Sequence, residues 1–533
     1  MALRQPREAA AGRSRPASRI VAHEWRWVAL IAGLLLLLTI LPLLIAAARV
    51  PTGKVFPGYV VIARDAYVYQ ALWHAGAAGD WLFRSHYTGE AMPPVLLYPW
   101  YLWSGHLIGS LPSAFVYHAI RLMAGAALAI ATYALAAELY RPVRLRRWAF
   151  VLAVVGGGVG VLTPSIAVGP WTLRATEMLS PGSSVADLIA MAPHLPLALA
   201  LMCAVFISGL RLRRPAPWLA IVPGLLAVIG LQFVYPQLAL LAGLVVAGWA
   251  ALRRLPRPLV FAAVSLLVQV PYDLYLLAVL RHDPLALAAV RSSLEVGDPF
   301  GFLVLSHLVT TALISVALLT RRLRGDALLP ALWIVGMTAF MFTPGLSATL
   351  GRSFMASSIP FGLCAVPGLL VLLRRVRERP WRRRALSVTV AVASLYGIFS
   401  LAQPLWIAAF RLDPLAEYEG RDEARLLDRL APRVSSRDLV LTMYLEGLFV
   451  PAQTAARVYA GHPDMTLDAA RKSTEAVDFF TLWPADRRDA FLRSAGVDYV
   501  LTTDPLVASR IGDDPILRLA DREGRASLFK VRP

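Results

Sequence analysis

Two cysteines in 533 residues, Cys203 and Cys364, both lie inside apolar runs and read as small buried hydrophobes. No pair remains for a disulfide, so any soluble part of the chain must hold together by its own core. Acidic residues are scarce over most of the length. Of 53 Lys and Arg, 18 fall from Arg411 onward, where 20 of the 34 Asp and Glu also lie, which leaves 35 basic against 14 acidic residues in the first 410. A net charge of +19 suggests nucleic acid, but the basic residues sit in short joints between apolar runs rather than on one folded surface, which excludes that reading. The chain has no P-loop, dinucleotide fingerprint, nucleophile elbow or zincin helix. It also lacks an internal repeat and a low-complexity tract. No outer loop carries Asp-x-Asp, so a metal-bound sugar nucleotide is not signalled. The run Gly156-Gly157-Gly158 lies within an apolar stretch and reads as close helix packing.

Apolar sequence is what the chain has in quantity. Hydrophobic residues make up 57% and charged ones 16%, as in polytopic membrane proteins. Six arginines punctuate residues 1–26, a basic tail, before the almost unbroken apolar run Trp27–Ala48. That run exceeds the ~7–15 residues of a signal-peptide core and is read as a retained first helix. Further spans are expected near Ala114–Leu139, Trp148–Thr163, Asp187–Leu210, Trp218–Leu231, Tyr235–Leu252, Pro258–Leu280, Phe302–Thr320, Ala327–Phe342, Phe354–Leu373 and Ala385–Phe410. Every even-numbered span ends in an arginine cluster and the odd-numbered ones do not. About 11 spans, with the tail in the cytoplasm and the C-terminus outside, satisfy the charge rule at each joint. The expected fold is therefore an all-α polytopic membrane protein with a small C-terminal extracytoplasmic α/β domain. Its parts are the tail 1–26, a membrane core 27–410 with a first outer loop 50–113, and the outer domain 411–533. In that domain Asp438–Met443 and Asp498–Thr502 read as strands, Arg518–Ala520 and Ser527–Val531 as a strand pair, and Pro414–Leu430, Thr466–Phe480 and Ala485–Ser494 as helices.

The first outer loop gathers carboxylates, imidazoles, arginines and aromatic rings beside the membrane, where ionisable groups are costly and usually have a task. Asp65 opens it and could take a proton from an attacking alcohol or amine. It could equally pair with Arg64 or cap the helix starting near Ala66. His86 and Glu90 are four apart, a spacing that can share a metal on a helix, but Gly89, Pro93 and Pro94 oppose a helix and no third ligand is near. Substrate hydrogen bonding and plain loop polarity both fit them. Glu177 and His194 flank the fourth span, and His194 stands between prolines that free backbone carbonyls. Arg352 begins the tenth span from outside. It suits a lipid-phosphate head group or an interface anchor, with Arg64 and Arg84 as rival phosphate partners. No resident cofactor is signalled, and a divalent metal stays open.

The strings Asp65-Ala66-Tyr67-Val68-Tyr69, Gly79-Asp80-Trp81-Leu82-Phe83, Tyr87-Thr88-Gly89-Glu90, Ala192-Pro193-His194, Gly447-Leu448-Phe449-Val450-Pro451-Ala452, Gly461-His462-Pro463 and Val497-Asp498-Tyr499-Val500-Leu501 carry a resemblance spanning nearly the whole chain. It resembles the GT-C superfamily of integral-membrane glycosyltransferases, which includes protein O-mannosyltransferases and lipid A aminoarabinose transferases, and within it a set of bacterial membrane proteins. The resemblance implies a bacterial inner-membrane enzyme with a catalytic acid at Asp65 and substrate contacts from Arg64, Tyr67, Arg84, His86, Glu90, Glu177, His194 and Arg352. It implies an inverting transfer of a sugar from a polyprenyl-phosphate donor to a lipid, glycan or protein acceptor. Many mannosyltransferase-type members carry Asp-Glu where this chain has Asp65-Ala66, which leaves one candidate base. The rival classes are a transporter or flippase of lipid-linked sugars and an inactive, polymer-binding membrane protein.

Overall fold

The structure, a computed structural model, describes residues 20–109, 111, 113–168, 171–179, 182–214, 218–290, 298–343, 350–411 and 417–532. Residues 1–19, parts of the expected outer loops Arg281–Gly301 and Thr343–Ser353, and the expected helix start at Pro414 lie outside the described residues. The chain is an integral membrane protein built mostly of helix. Among the described residues six helices are long and apolar enough to cross a bilayer: Ala22–Ala48, Ser113–Leu139, His194–Arg211, Pro256–His282, Gly325–Phe342 and Ser358–Arg375. A seventh crossing forms if Arg379–Ala393 and the helix after it, bent by 50°, count as one. Helices of 17 residues or fewer, Leu219–Val234, Pro236–Leu252 and Leu308–Leu319, stand at three further expected positions. Eleven full-length spans is thus an over-count in length, although helix occurs at each expected place.

Two boundaries need correction. The first helix begins at Ala22, inside the stretch assigned to the tail, because Glu24 accepts the Val21 amide at 3.1 Å and closes the first turn. The expected third span, Trp148–Thr163, is instead the 12-residue helix Val143–Val154. Just beyond it the Gly157 amide donates to the Ala393 carbonyl at 2.8 Å, and a Cβ on Gly157 would meet Tyr396 at 2.7 Å. Glycine lets the chain leave the helix and press against the next one.

Ion pairs define one end of the bundle. Glu24 pairs with Arg146, Glu138 with Arg211 and Arg214, and Arg213 with Asp326. These contacts gather the start of the first helix and the arginine joints after the second and fourth expected spans. The opposite end carries the first outer loop and the C-terminal region.

Those two outer parts share one core. The C-terminal region holds a mixed five-stranded sheet in the order Arg457–Val458, Leu439–Leu441, Tyr499–Thr502, Ala526–Val531, Leu517–Glu523. The first three strands run parallel, and the last two pair antiparallel. Helices Arg421–Leu430, Ala469–Thr481, Ala485–Ala495 and Pro505–Gly512 pack around it. The strand at Arg457 and the helix at Pro505 were not expected from sequence. Tyr67, Phe83, Tyr87 and Leu97 of the first loop bury with Leu427, Leu448, Phe449 and Leu528. The loop also covers the sheet edge: Val458 donates to the His86 carbonyl at 2.8 Å, and Thr88 bridges Ala460. Lys54–Val55 pairs with Glu419–Gly420, and the Tyr418 hydroxyl donates to the Ala46 carbonyl at the end of the first helix.

Candidate active site

Asp65 is the third residue of the helix Ala63–Ala77, where the helix dipole favours a carboxylate. Its side chain is 44% exposed. One turn on, Tyr69 shares its face and stacks on Tyr101 with ring centroids 4.4 Å apart and planes within 5°. Both phenols meet His194 edge-on, and the Tyr101 hydroxyl lies 2.7 Å from His194 Nδ1. His194 stacks in turn against Tyr235, which adjoins Arg352. Arg352 sits in the short 3-10 turn Gly351–Phe354 ahead of the helix Ser358–Arg375.

The rings therefore form one cluster on which a carboxylate, Asp65, and a guanidinium, Arg352, both act. The two charges act with opposite sign on Tyr69, Tyr98 and His194. Burial, then Asp65, pushes the Tyr69 phenol well above its ordinary pKa; burial pushes Tyr98 up to about 12. Burial works against the charge of Arg352, but Tyr235, Tyr69, Tyr98 and Asp65 outweigh it and raise its pKa. A cation and a carboxylate in mutual electrostatic range can hold an anion and take a proton within one site.

Backbone geometry marks the same place. Ile62 (φ 48°), Tyr98 (φ 49°) and Ala356 (φ 48°) occupy the left-handed region, which is costly for any residue with a Cβ and most of all for a β-branched one. Ile62 sets the entry of the Asp65 helix, and Ala356 follows Arg352 by four residues. Such conformations gather where the surrounding fold holds a site in place.

The remaining expected residues divide. Tyr67 is a correction: it is 1% exposed and packs edge-on against Tyr59 and Phe449. Two residues along a helix are about 200° apart, so Tyr67 points away from Asp65 into the core shared with the C-terminal region. Glu90 is also corrected, from substrate contact to loop docking. It pairs with Lys472 at 2.5 Å and accepts the Thr88 hydroxyl. Burial pushes the Glu90 carboxyl up, but these partners outweigh it and hold its pKa below the usual range. His86 is buried, which lowers its pKa to about 4, and with exposed Arg84 it lines a separate recess beside Leu72 and Met465. Arg64 is exposed, and its field falls on Tyr444. Glu177 lies on the helix Thr176–Leu179, with its side chain outside the described residues. Among the described residues no three His, Cys, Asp or Glu are placed to hold a metal ion.

Sequence reasoning gave no role to Tyr69, Tyr98, Tyr101, Tyr235 and His462, although Tyr69 and His462 stand in strings that carry the resemblance. The i, i+4 spacing from Asp65 was the available signal for Tyr69. His462 Nε2 lies 3.3 Å from Asp65 Oδ1, although nearly four hundred residues separate them in sequence.

No protein-family model matches the chain, and no curated protein matches it. Among solved structures it is similar to ArnT from Cupriavidus metallidurans in the apo state, with a TM-score of 0.52 at 14% identity over 95% of this chain and 98% of that one. The oligosaccharyltransferase of Archaeoglobus fulgidus, solved with zinc and sulfate, aligns over 88% of this chain and 67% of that one at 11% identity and a TM-score of 0.49, too loose to add to the assignment. The first similarity covers membrane core and outer body together. The similarity shows the fold, an ArnT-like polytopic membrane fold.

Proposed function

We propose that this protein is an integral-membrane glycosyltransferase that moves a sugar from a polyprenyl-phosphate carrier to a lipid, glycan or protein acceptor. The observation that carries the reading is the pair Asp65 and Arg352, whose charges act with opposite sign on one tyrosine cluster at the end of the bundle opposite the arginine joints. The fold shared with ArnT is consistent with it. Under the charge rule the arginine end is cytoplasmic, which places the cluster and the C-terminal domain outside a bacterial inner membrane.

The reaction is a single displacement. Asp65 takes the acceptor O–H or N–H proton as that atom bonds to the anomeric carbon. The bond from that carbon to the phosphate oxygen breaks, its electron pair leaves with polyprenyl phosphate, and Arg352 holds the developing charge. Attack opposite the leaving group inverts the anomeric centre. A transporter would place its ionisable groups near the bilayer midplane, whereas this pair lies at the helix ends. The test is transfer of a labelled sugar from polyprenyl-phosphate donors by the purified protein in liposomes supplied with cell-envelope acceptors. Donor-dependent labelling is expected. Movement of intact donor across the bilayer without transfer would support the transporter instead.

A further inference from the structure

We infer that His462, from the C-terminal domain, is a positioning residue that holds the Asp65 carboxylate for proton transfer; this rests on the glycosyltransferase reading above. The ring is buried, 3% exposed, and its Nε2 lies 3.3 Å from Asp65 Oδ1. The Asp464 amide donates to Nδ1 at 3.2 Å, so in the neutral ring the proton is carried by Nε2, on the Asp65 side. Nε2 makes no well-aligned hydrogen bond at rest. It is a buried donor with unused capacity beside a half-exposed carboxylate, the long resting contact that closes up once substrate is bound.

The ring is held from every side the structure shows. Tyr87 packs edge-on at 5.9 Å. The Gly461 and His462 amides both donate to Thr466 Oγ1, and that hydroxyl donates to the Tyr87 carbonyl at 2.6 Å. A Cβ on Gly461 would lie 2.5 Å from the Gly447 carbonyl oxygen, so only glycine lets this turn approach. Tyr87 and Thr466 tie the turn to the same loop that carries Asp65. The C-terminal domain therefore completes the site rather than merely standing beside it. Without a donor at this position Asp65 keeps its charge but gains rotamer freedom, and the proton-accepting lone pair is aimed at the acceptor for less of the time.

The experiment measures kcat and KM for donor in liposomes, with thermal stability, for the unmutated protein, Asp65→Asn, His462→Leu and His462→Gln. Glutamine carries an amide donor near the Nε2 position. His462→Leu should lower kcat about ten- to a hundred-fold, the scale seen when a group orienting a reacting ligand is lost, with KM within about twofold. His462→Gln should recover kcat to within about threefold of the unmutated value, a rescue that a purely structural role would not produce. Should His462→Leu fail to fold, His462→Gln decides alone: near-normal kcat supports the inference, and loss overturns it. Unmutated kcat in His462→Leu overturns it as well, as does an equal loss in both folded variants. Loss of transfer in Asp65→Asn beside a normal His462→Leu leaves the glycosyltransferase reading standing and removes only His462. Absence of transfer by the unmutated protein removes both.

Discussion

An arginine–carboxylate–tyrosine group stands at each end of the bundle, and these two are built in opposite ways. At the arginine end, Glu24 receives Arg146 through both carboxylate oxygens at 3.0 and 2.9 Å, the Tyr133 hydroxyl at 2.5 Å and the Val21 amide at 3.1 Å. Arg146 also donates to the Tyr140 carbonyl, and the pair is 3% and 1% exposed. At the other end Asp65 is 44% exposed with one long contact, and Arg352 lies in the field of Tyr235, Tyr69, Tyr98 and Asp65. The first group is closed around Glu24: both carboxylate oxygens are engaged, by Arg146, Tyr133 and the Val21 amide, and the group holds three segments together. The second keeps capacity on Asp65, which is half exposed with one long contact. An ionisable group at membrane depth is a functional candidate by default, and the comparison adds a criterion: unused hydrogen-bonding capacity separates a site from a clamp.

Four changes would break or sharpen that contrast. Asp65→Asn should lower transfer about 10²–10⁴-fold, the usual contribution of a general base, with melting temperature and membrane insertion unchanged. Near-normal transfer would move the base elsewhere, with Glu177 next to test. Glu24→Ala should do the reverse. It strands a buried guanidinium and should lower stability by about 3–5 kcal/mol, read as a lower melting temperature, while the folded fraction keeps its kcat. Arg352→Lys keeps the charge but loses the planar fork, so kcat should fall about 10²-fold while donor binding weakens only modestly; an equal fall in both would assign Arg352 to ground-state binding.

The last change concerns the C-terminal domain. Glu419, 2% exposed where Lys54–Val55 meets the C-terminal domain, has its carboxyl pushed up by burial to about 8. A folded pKa above the unfolded value of about 4.3 stabilises fully below that value and is lost as pH rises through about 8. Melting of the outer body should therefore fall with rising pH between those limits, by at most about 1.4 kcal/mol per pH unit from this group. Glu419→Gln should flatten the curve. An unchanged slope in that variant would assign the dependence to Glu423, whose pKa burial also raises.

Legibility in the sequence followed the length scale of each interaction. Apolar runs and arginine joints report lipid and charge along short stretches, so helix positions and the shared end of the arginines could be read directly. Period-two and period-3.6 patterns likewise marked the strands near Leu439, Tyr499 and Ala526 and the helices near Ala469 and Ala485. Asp65 stood out because it is an isolated acid at the start of a loop. Tyr67 was misplaced by adjacency in sequence, where the helical period selects Tyr69. Glu90 could not be separated from the site because its partner, Lys472, lies 382 residues away. His462 and Tyr235 reach their places only through tertiary packing, which no local pattern encodes. Glu24 falls within the basic tail 1–26, and its partner, Arg146, lies in an arginine joint 122 residues away.

The most direct test of the contrast is equilibrium binding of polyprenyl phosphate, without sugar, to the unmutated protein, Asp65→Asn, Arg352→Ala and Glu24→Ala in liposomes, each checked for folding. If the open pair is the substrate site, Arg352→Ala should weaken binding about tenfold or more, the value of one charge-assisted contact to phosphate, and Asp65→Asn should leave it within about threefold. Folded Glu24→Ala should bind like the unmutated protein. Unchanged binding in Arg352→Ala, or a loss confined to Glu24→Ala, would contradict the account.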